Sequence, residues 1–482
     1  MRYLCIHGHF YQPPREESET GLIKVQPSAS PFLNWNQRIN FECYRANWQA
    51  EIHQREGEQR LTIDNYAFIS FNFGPTLLRW LEEEDLQTHD AIVFSDKRSM
   101  ERFGSGSALA QVYHHAILPL CNRRDKVTEV RWGLADFAHR FGRKAQGIWL
   151  AETAVDVETL EVLAEEGIEF TLLAPRQAKA ISALGSDEWT EVSAGTVDSS
   201  QPYVVELPSG RSIAVFFYDG KSAQSVAFGG ALDNGEVFAR GLLRRAKGLK
   251  KNALLHFATD GESYGHHHRY GEMALGYCLK TILEQDELKL CNYAQYLKMF
   301  PPLMKTKIQT VSSWSCSHGV GRWSENCGCV IDPKKSGKQE WRTVLRESLE
   351  WLREQLILEF EDGAGRLLRD AWAVRNMWKS AELKDETTML LQAFSVGELT
   401  DGKLAELNRI FLIQENALKM FTSCAWFFDD PAGLETRQIL KYAREAILLS
   451  ELDLEAEFVE RISVMVSSDL KTPTGADIWA NL

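Results

Sequence analysis

The sequence predicts an α/β barrel followed by a helical domain, and three observations carry that prediction. Over the first 300 residues, short apolar runs alternate with longer amphipathic ones, the signature of strand–helix units around a mainly parallel sheet. Polar residues sit just past several of those runs: His7 and His9 after the first, Asn72 after the second, Glu152 after Gly147–Leu150 and Asp260 after the last. A (β/α) barrel gathers such groups on the rim formed by the C-terminal ends of its strands, which favours a barrel over an open sheet. From about residue 340 the apolar spacing changes to three and four with Glu and Arg between, the pattern of amphipathic helices.

The candidate strands are Tyr3–Ile6, Ala67–Phe71, Ala91–Phe94, Gly147–Leu150, Glu169–Leu173, Ile213–Tyr218 and Ala253–Ala258. The clearest helices between them are Arg79–Glu84, Val157–Glu166 and Gly235–Lys247. Residues 183–212 hold Gly185, Gly195, Pro202, Pro208 and Gly210 with no helical period, and read as a β-rich insertion with a hairpin at LPSGRSIAVFFYD. The pattern shifts near Pro301–Pro302. This divides the chain into a catalytic barrel, 1–300, and a second part, 301–482, with a loop at 312–329 and helices over 340–362, 365–380, 402–422 and 434–453. The tail TPTGADIWANL reads as a mobile end.

With Lys+Arg 54 against Asp+Glu 67, the net charge of −13 argues against nucleic acid and anionic membranes as partners. No apolar run approaches the roughly 18 residues of a membrane span. The start, MRYLCIHGHFYQPP, lacks a basic-then-apolar leader, so the expected location is cytoplasmic. Nine cysteines then read as reduced core thiols. The 14 Trp and 24 Phe supply a core and, in an enzyme acting on sugars, stacking platforms.

Four segments concentrate chemistry. In IHGHFYQPPRE, His7 and His9 follow a strand and suit hydrogen bonding to hydroxyl groups or, with a third ligand, a metal. In GIWLAETAVD, Glu152 ends a strand and is placed as a nucleophile, or as a first-turn acid of the helix that Thr153 or Asp156 caps. In HFATDGESYGHHHRYG, Asp260, Glu262 and His266–His268 suggest a catalytic carboxylate with hydroxyl-binding partners, or a Zn²⁺ or Mn²⁺ site. In SSWSCSHGVGRWSENCGC, Cys316, His318, Cys327 and Cys329 offer four zinc ligands. One residue separates the last two cysteines, against the usual two to four, so Trp314, His318 and Trp323 read better as a lid over a polar ligand.

Together these segments resemble glycoside hydrolase family 57, in a little-characterised bacterial branch. HGH at 7–9 matches the family's first motif, although Phe10 and Tyr11 intervene before Gln12–Pro13. YHHAILPL at 113–120 matches a second and points to His115. WLAETAVD at 149–156 matches the nucleophile motif at Glu152, and ATDGESYGHHH at 258–268 the acid/base motif at Asp260. The resemblance implies a (β/α)7 barrel and retaining chemistry on α-glucans, by hydrolysis or transglycosylation, with an oligosaccharide or polysaccharide as partner and no metal or cofactor. The candidate sugar contacts, from the resemblance and from the residues together, are His7, His9, His115, Trp149, Glu262, His266, Trp314, His318 and Trp323. The competing readings are a metal-dependent polysaccharide deacetylase, which leaves Glu152 without a role, and a non-catalytic glycan-binding module.

Overall fold

Residues Arg2–Phe10 form one strand, β1, buried from Leu4 onward, as expected of a strand with packed groups on both faces. The chain is described by a computed structural model covering residues 1–17, 20–52, 60–192, 195–335 and 339–482. Six strands follow in the ring: β2 (Ser70–Phe73), β3 (Ala110–Gln111), β4 (Gly147–Trp149), β5 (Phe170–Leu173), β6 (Ser212–Phe217) and β7 (Leu254–Asp260). β7, β1 and β2 pair in parallel, as do β3, β4, β5 and β6. A parallel bridge between Phe71 and Ala108 joins β2 to the approach of β3, and Asp219 N donates to His256 O at 2.8 Å between the ends of β6 and β7. Seven parallel strands thus follow one another around a (β/α)7 barrel.

Register sets the site. His7 pairs with Ser70, and His9 lies level with Asn72 on one side and Asp260 on the other. In parallel strands paired residues share a face, so these side chains project together. Gly8 makes room for this: a Cβ there would stand 2.6 Å from the Phe10 ring, and one on Gly261 would stand 2.3 Å from the same ring.

Helices Pro75–Glu84, Arg123–Phe141, Val157–Glu165 and Gly235–Lys247 pack around the ring. Asp156 caps the third of these by accepting from Thr159 N at 2.7 Å. Beyond β6 the sheet continues outward through Tyr203–Glu206, Met304–Ile308, Ala178–Ala183 and Thr190–Glu191. The insertion expected at 183–212 is therefore a larger β layer that recruits a strand from beyond residue 300; residues 193–194 of it lie outside the described residues. Helices Trp341–Leu367, Ala371–Glu382, Asp401–Lys419 and Leu434–Leu449 build a second core. That core includes Ile117, Ala151 and Ala154 of the barrel loops and Cys316, Val320 and Trp323 of the 312–329 segment.

Two expectations are corrected. Ala91–Phe94 is not a strand but lies inside helix Leu86–Phe103, whose buried positions His89, Ile92, Ser95, Asp96, Ser99 and Phe103 follow helical spacing; Phe94 is 59% exposed. A four-residue apolar run shows no period by itself, and the true third strand, β3, is only two residues long. The tail is not mobile. Thr474 and Asp477 form a capping box on helix Gly475–Ala480, and Ile478 and Trp479 are buried in the helical core.

Candidate active site

The floor of the barrel mouth is a layered imidazole and indole stack. Trp149, fully buried at the end of β4, lies 4.9 Å from both His7 and His9, with its plane within 20° of each. His9 stacks on His115 at 5.2 Å, and His115 on Tyr11 at 3.9 Å. Burial pushes His7 and His9 down to about 3, and His115 well below the usual histidine range. All three are therefore neutral near pH 7, each with one donor and one acceptor nitrogen. His9 Nδ1 lies 2.9 Å from Asn72 Nδ2 and 3.3 Å from Asn72 Oδ1, and His9 Nε2 faces His115 Nε2 at 3.3 Å. His115 Nδ1 in turn meets Ser423 Oγ of the helical domain at 2.6 Å.

Beyond β4 the chain makes a strained turn. Glu152 and Thr153 have φ of 57° and 49°, left-handed geometry that is unfavourable for a branched residue such as Thr. Gln177, fully buried, holds it. Its Oε1 accepts from Thr153 Oγ1 at 2.9 Å and Ala174 N at 2.8 Å, and its Nε2 donates to Thr153 O at 2.8 Å and Ser312 Oγ at 3.2 Å. Val155 and Ser312 exchange backbone hydrogen bonds, and Trp314 N donates to Glu152 O at 3.0 Å. The 312–316 strip thus lies along the turn and delivers two donors to one carboxylate oxygen: Trp314 Nε1 at 2.8 Å and Ser315 Oγ at 2.5 Å from Glu152 Oε2. Burial raises the Glu152 carboxyl above its usual range, while Ser315, Trp314 and the Arg322 charge pull it back.

Asp260 ends β7 and faces the cavity. Although its side chain opens onto the cavity, desolvation by the surrounding walls of the barrel mouth, reinforced by the Glu152 charge, raises it to about 7. Glu262, two residues on, is buried and raised to about 8 by burial; its Oε1 accepts from Tyr44 OH at 2.7 Å and Tyr11 N at 3.1 Å. At neutral pH Glu262 is thus mainly protonated, and Asp260 is poised to give or take a proton.

Two cavities of about 480 Å³ each meet at Glu152, Asp260 and Phe427, which line both. His9, His115, Glu262 and His266 line one; Trp314, Tyr218, Arg176 and Phe228 line the other. His7 and Trp149 lie beneath the first cavity, not on its wall. His318 and Trp323 line neither: Trp323 is fully buried in the helical core, and His318 stands on the outer side of its loop beside Cys316, Cys327 and Cys329. Those four residues are the group of described side chains close enough together to hold a metal ion. Tyr218 and Arg176 follow β6 and β5, so the strand-end rule that found Asp260 extends to them. Phe427 and Ser423 come from 100 or more residues beyond the barrel, and no local pattern marks them.

A family model described as Glycosyl hydrolase family 57 matches residues 29–309, and one described as Domain of unknown function (DUF3536) matches residues 338–482. The chain is 24% identical over 241 residues to a 4-alpha-glucanotransferase of Thermococcus litoralis, covering 48% of this chain and 33% of that enzyme. It is 24% identical over 250 residues to an alpha-amylase of Pyrococcus horikoshii, covering 50% and 36%. The match thus spans about a third of these relatives' length. Among solved structures, an exo-type maltose-forming amylase from Pyrococcus sp. ST04 aligns with a TM-score of 0.62 at 14% identity over 96% of this chain and 82% of that one. A branching enzyme from Thermococcus kodakaraensis aligns at 0.53 and 15% identity, over 97% and 92%. At these identities the structural likeness is one of fold.

Proposed function

Because the chain belongs to glycosyl hydrolase family 57, we propose that Glu152 and Asp260 perform retaining displacement at α-glucosidic bonds. Glu152 attacks the anomeric carbon while Asp260 protonates the departing glycosidic oxygen, leaving a glycosyl ester on Glu152. Ester formation removes the Glu152 charge, which is one of the two causes that raise Asp260. Asp260 therefore becomes easier to ionise once its proton has left, and the incoming hydroxyl then gives its proton to it. The neutral His9 and His115 and the protonated Glu262 present donors and acceptors to ring hydroxyls without placing a cation beside the developing oxocarbenium charge.

The observation that carries this reading is that both carboxyls line both cavities. One chamber, with His9 and His115, takes the glycone. The other, with Trp314, Tyr218, the 86% exposed Phe228 and Gly195 of the β insertion, takes the acceptor. An acceptor held on aromatic faces competes with water through an effective molarity that reaches about 10⁵ M in well-oriented systems, so transfer is the expected outcome. The test is a maltooligosaccharide of single length, incubated with the protein and followed by chromatography. Products longer than the input support transfer, and exclusively shorter ones support hydrolysis. No change in any α-glucan, or full activity in Glu152→Gln or Asp260→Asn, refutes the assignment. The working compartment is the cytoplasm, in keeping with nine cysteines that are all free. Among the described residues no helix is long and apolar enough to cross a membrane.

A further inference from the structure

We propose that Cys316, His318, Cys327 and Cys329 bind one structural Zn²⁺, which staples the strip of chain that delivers hydrogen bonds to Glu152. Three of the six ligand-to-ligand edges already have tetrahedral length. Cys316 Sγ lies 3.8 Å from both Cys327 Sγ and Cys329 Sγ, Cys329 Sγ lies 3.6 Å from His318 Nδ1, and the four atoms lie within 4.8 Å of one another. A tetrahedron with Zn–S near 2.3 Å and Zn–N near 2.0–2.1 Å has S···S edges of about 3.8 Å and S···N edges of about 3.6 Å. A disulfide would join two of the three sulfurs and leave the third sulfur and the imidazole without a role. Three soft thiolates with one imidazole suit zinc, and a shell filled by four protein groups leaves no position for a substrate, so the site is structural.

The one-residue spacing that counted against zinc has a backbone answer. Gly328, between Cys327 and Cys329, has φ 81°, and Gly319, next to His318, has φ 78°. A left-handed residue folds the chain within one step, so both sulfurs reach one point without the longer knuckle. Charge balances as well. Three thiolates on Zn²⁺ leave a net charge of −1. Arg322 and Arg342 are both buried, and the Nε of each has no hydrogen-bond partner among the described residues. Arg342 Nη1 donates to Cys329 O at 2.7 Å, tying the loop to helix Trp341–Leu367.

Cys316 directly follows Trp314 and Ser315, and its carbonyl and that of Ser313 accept from Arg176 Nη2 at 3.0 and 2.5 Å. Zinc would therefore clamp the strip at its outer end, where Gln177 holds its inner end and Arg176 spans the two.

The test uses the full chain expressed with added zinc and purified without chelator. Elemental analysis is expected to find about one zinc per chain, falling to near zero in Cys327→Ser. Exchange with Co²⁺ is expected to give the intense visible bands of tetrahedral thiolate coordination. His318 is exposed, so His318→Ala should fold and yet release zinc to a chelator at least about tenfold more readily. A folded wild-type chain without stoichiometric zinc overturns the proposal. So do an intact mass showing a disulfide within the cluster, an octahedral Co²⁺ spectrum, and zinc that stays bound in folded Cys327→Ser. None of these readouts depends on turnover, so the metal site and the glycosidase reading stand or fall separately.

Discussion

Asp260→Asn should make the protein more stable at pH 8 and leave its stability unchanged at pH 4. The native state holds the Asp260 proton up to about 7, whereas an ordinary aspartate releases it near 3.8. Between those values the folded chain binds more protons than the unfolded one, so stability from this group falls as pH rises through the window and is fully lost above about 7. At about 1.4 kcal/mol per pH unit the ceiling is roughly 4 kcal/mol. The carboxyl faces a solvent-filled cavity, and screening there reduces the expected effect to about 1–2 kcal/mol. For a chain of this size that is an increase in Tm of about 1–3 °C. Thermal unfolding of wild type and Asp260→Asn at both pH values measures it, because titrating groups that do not interact with Asp260 cancel in the comparison. Glu152→Gln should give a smaller gain, since burial, the larger cause, remains. If Asp260→Asn is no more stable than wild type at pH 8, or gains equally at pH 4, the carboxyl is not held protonated by its surroundings.

Trp314→Phe removes the 2.8 Å donor to Glu152 Oε2, so the Glu152 carboxyl rises further and the acidic limb of kcat/KM on an α-glucan moves to higher pH; an unmoved limb in a folded variant refutes that role. Gln177→Ala leaves Ala174 N and Thr153 O buried without their side-chain partner, at a cost of about 2–4 kcal/mol. Hydrogen exchange should rise at residues 153–155, and unchanged protection there counts against Gln177 as the support of the turn. Trp479→Ala should cost about 3–5 kcal/mol in urea unfolding of the helical domain, whereas a value below about 1 kcal/mol would restore the tail to a mobile end.

Periodicity made most of the helices legible. Gly235–Lys247 matches its expected bounds, and Val157–Glu165 differs by one residue. Strand-end polarity led to Glu152 and Asp260 because each strand carries its own signal. What escaped was non-local. A two-residue strand has no period to read, and an apolar run of four inside an 18-residue helix imitates a strand. Gln177 and Ser423 act by reaching across the fold to Thr153 and His115, and neither position differs in sequence from an ordinary polar residue. Trp323 and Trp314 lie nine residues apart in one loop, yet the turns between them send one into the helical core and leave the other at the carboxylates.

The junction at Phe427 bears on how such a protein changes over time. Glu152, Asp260, His115, Trp149 and the strained turn belong to the stretch matched by the glycosyl hydrolase model, His7 and His9 precede that stretch, and Ser423 and Phe427 belong to the stretch matched by the other model. On the proposed mechanism, the reacting carboxylates and part of the chamber wall are thus encoded in separate segments of one gene. On that mechanism, substitutions at Phe427 would reshape which sugar chain is admitted without touching Glu152 or Asp260 directly, while changes at Asn72 or Gln177 would be felt at His9 and the Glu152 turn. Innovation in substrate choice then has a low-risk address in this chain, and it lies outside the part by which its kinship is recognised.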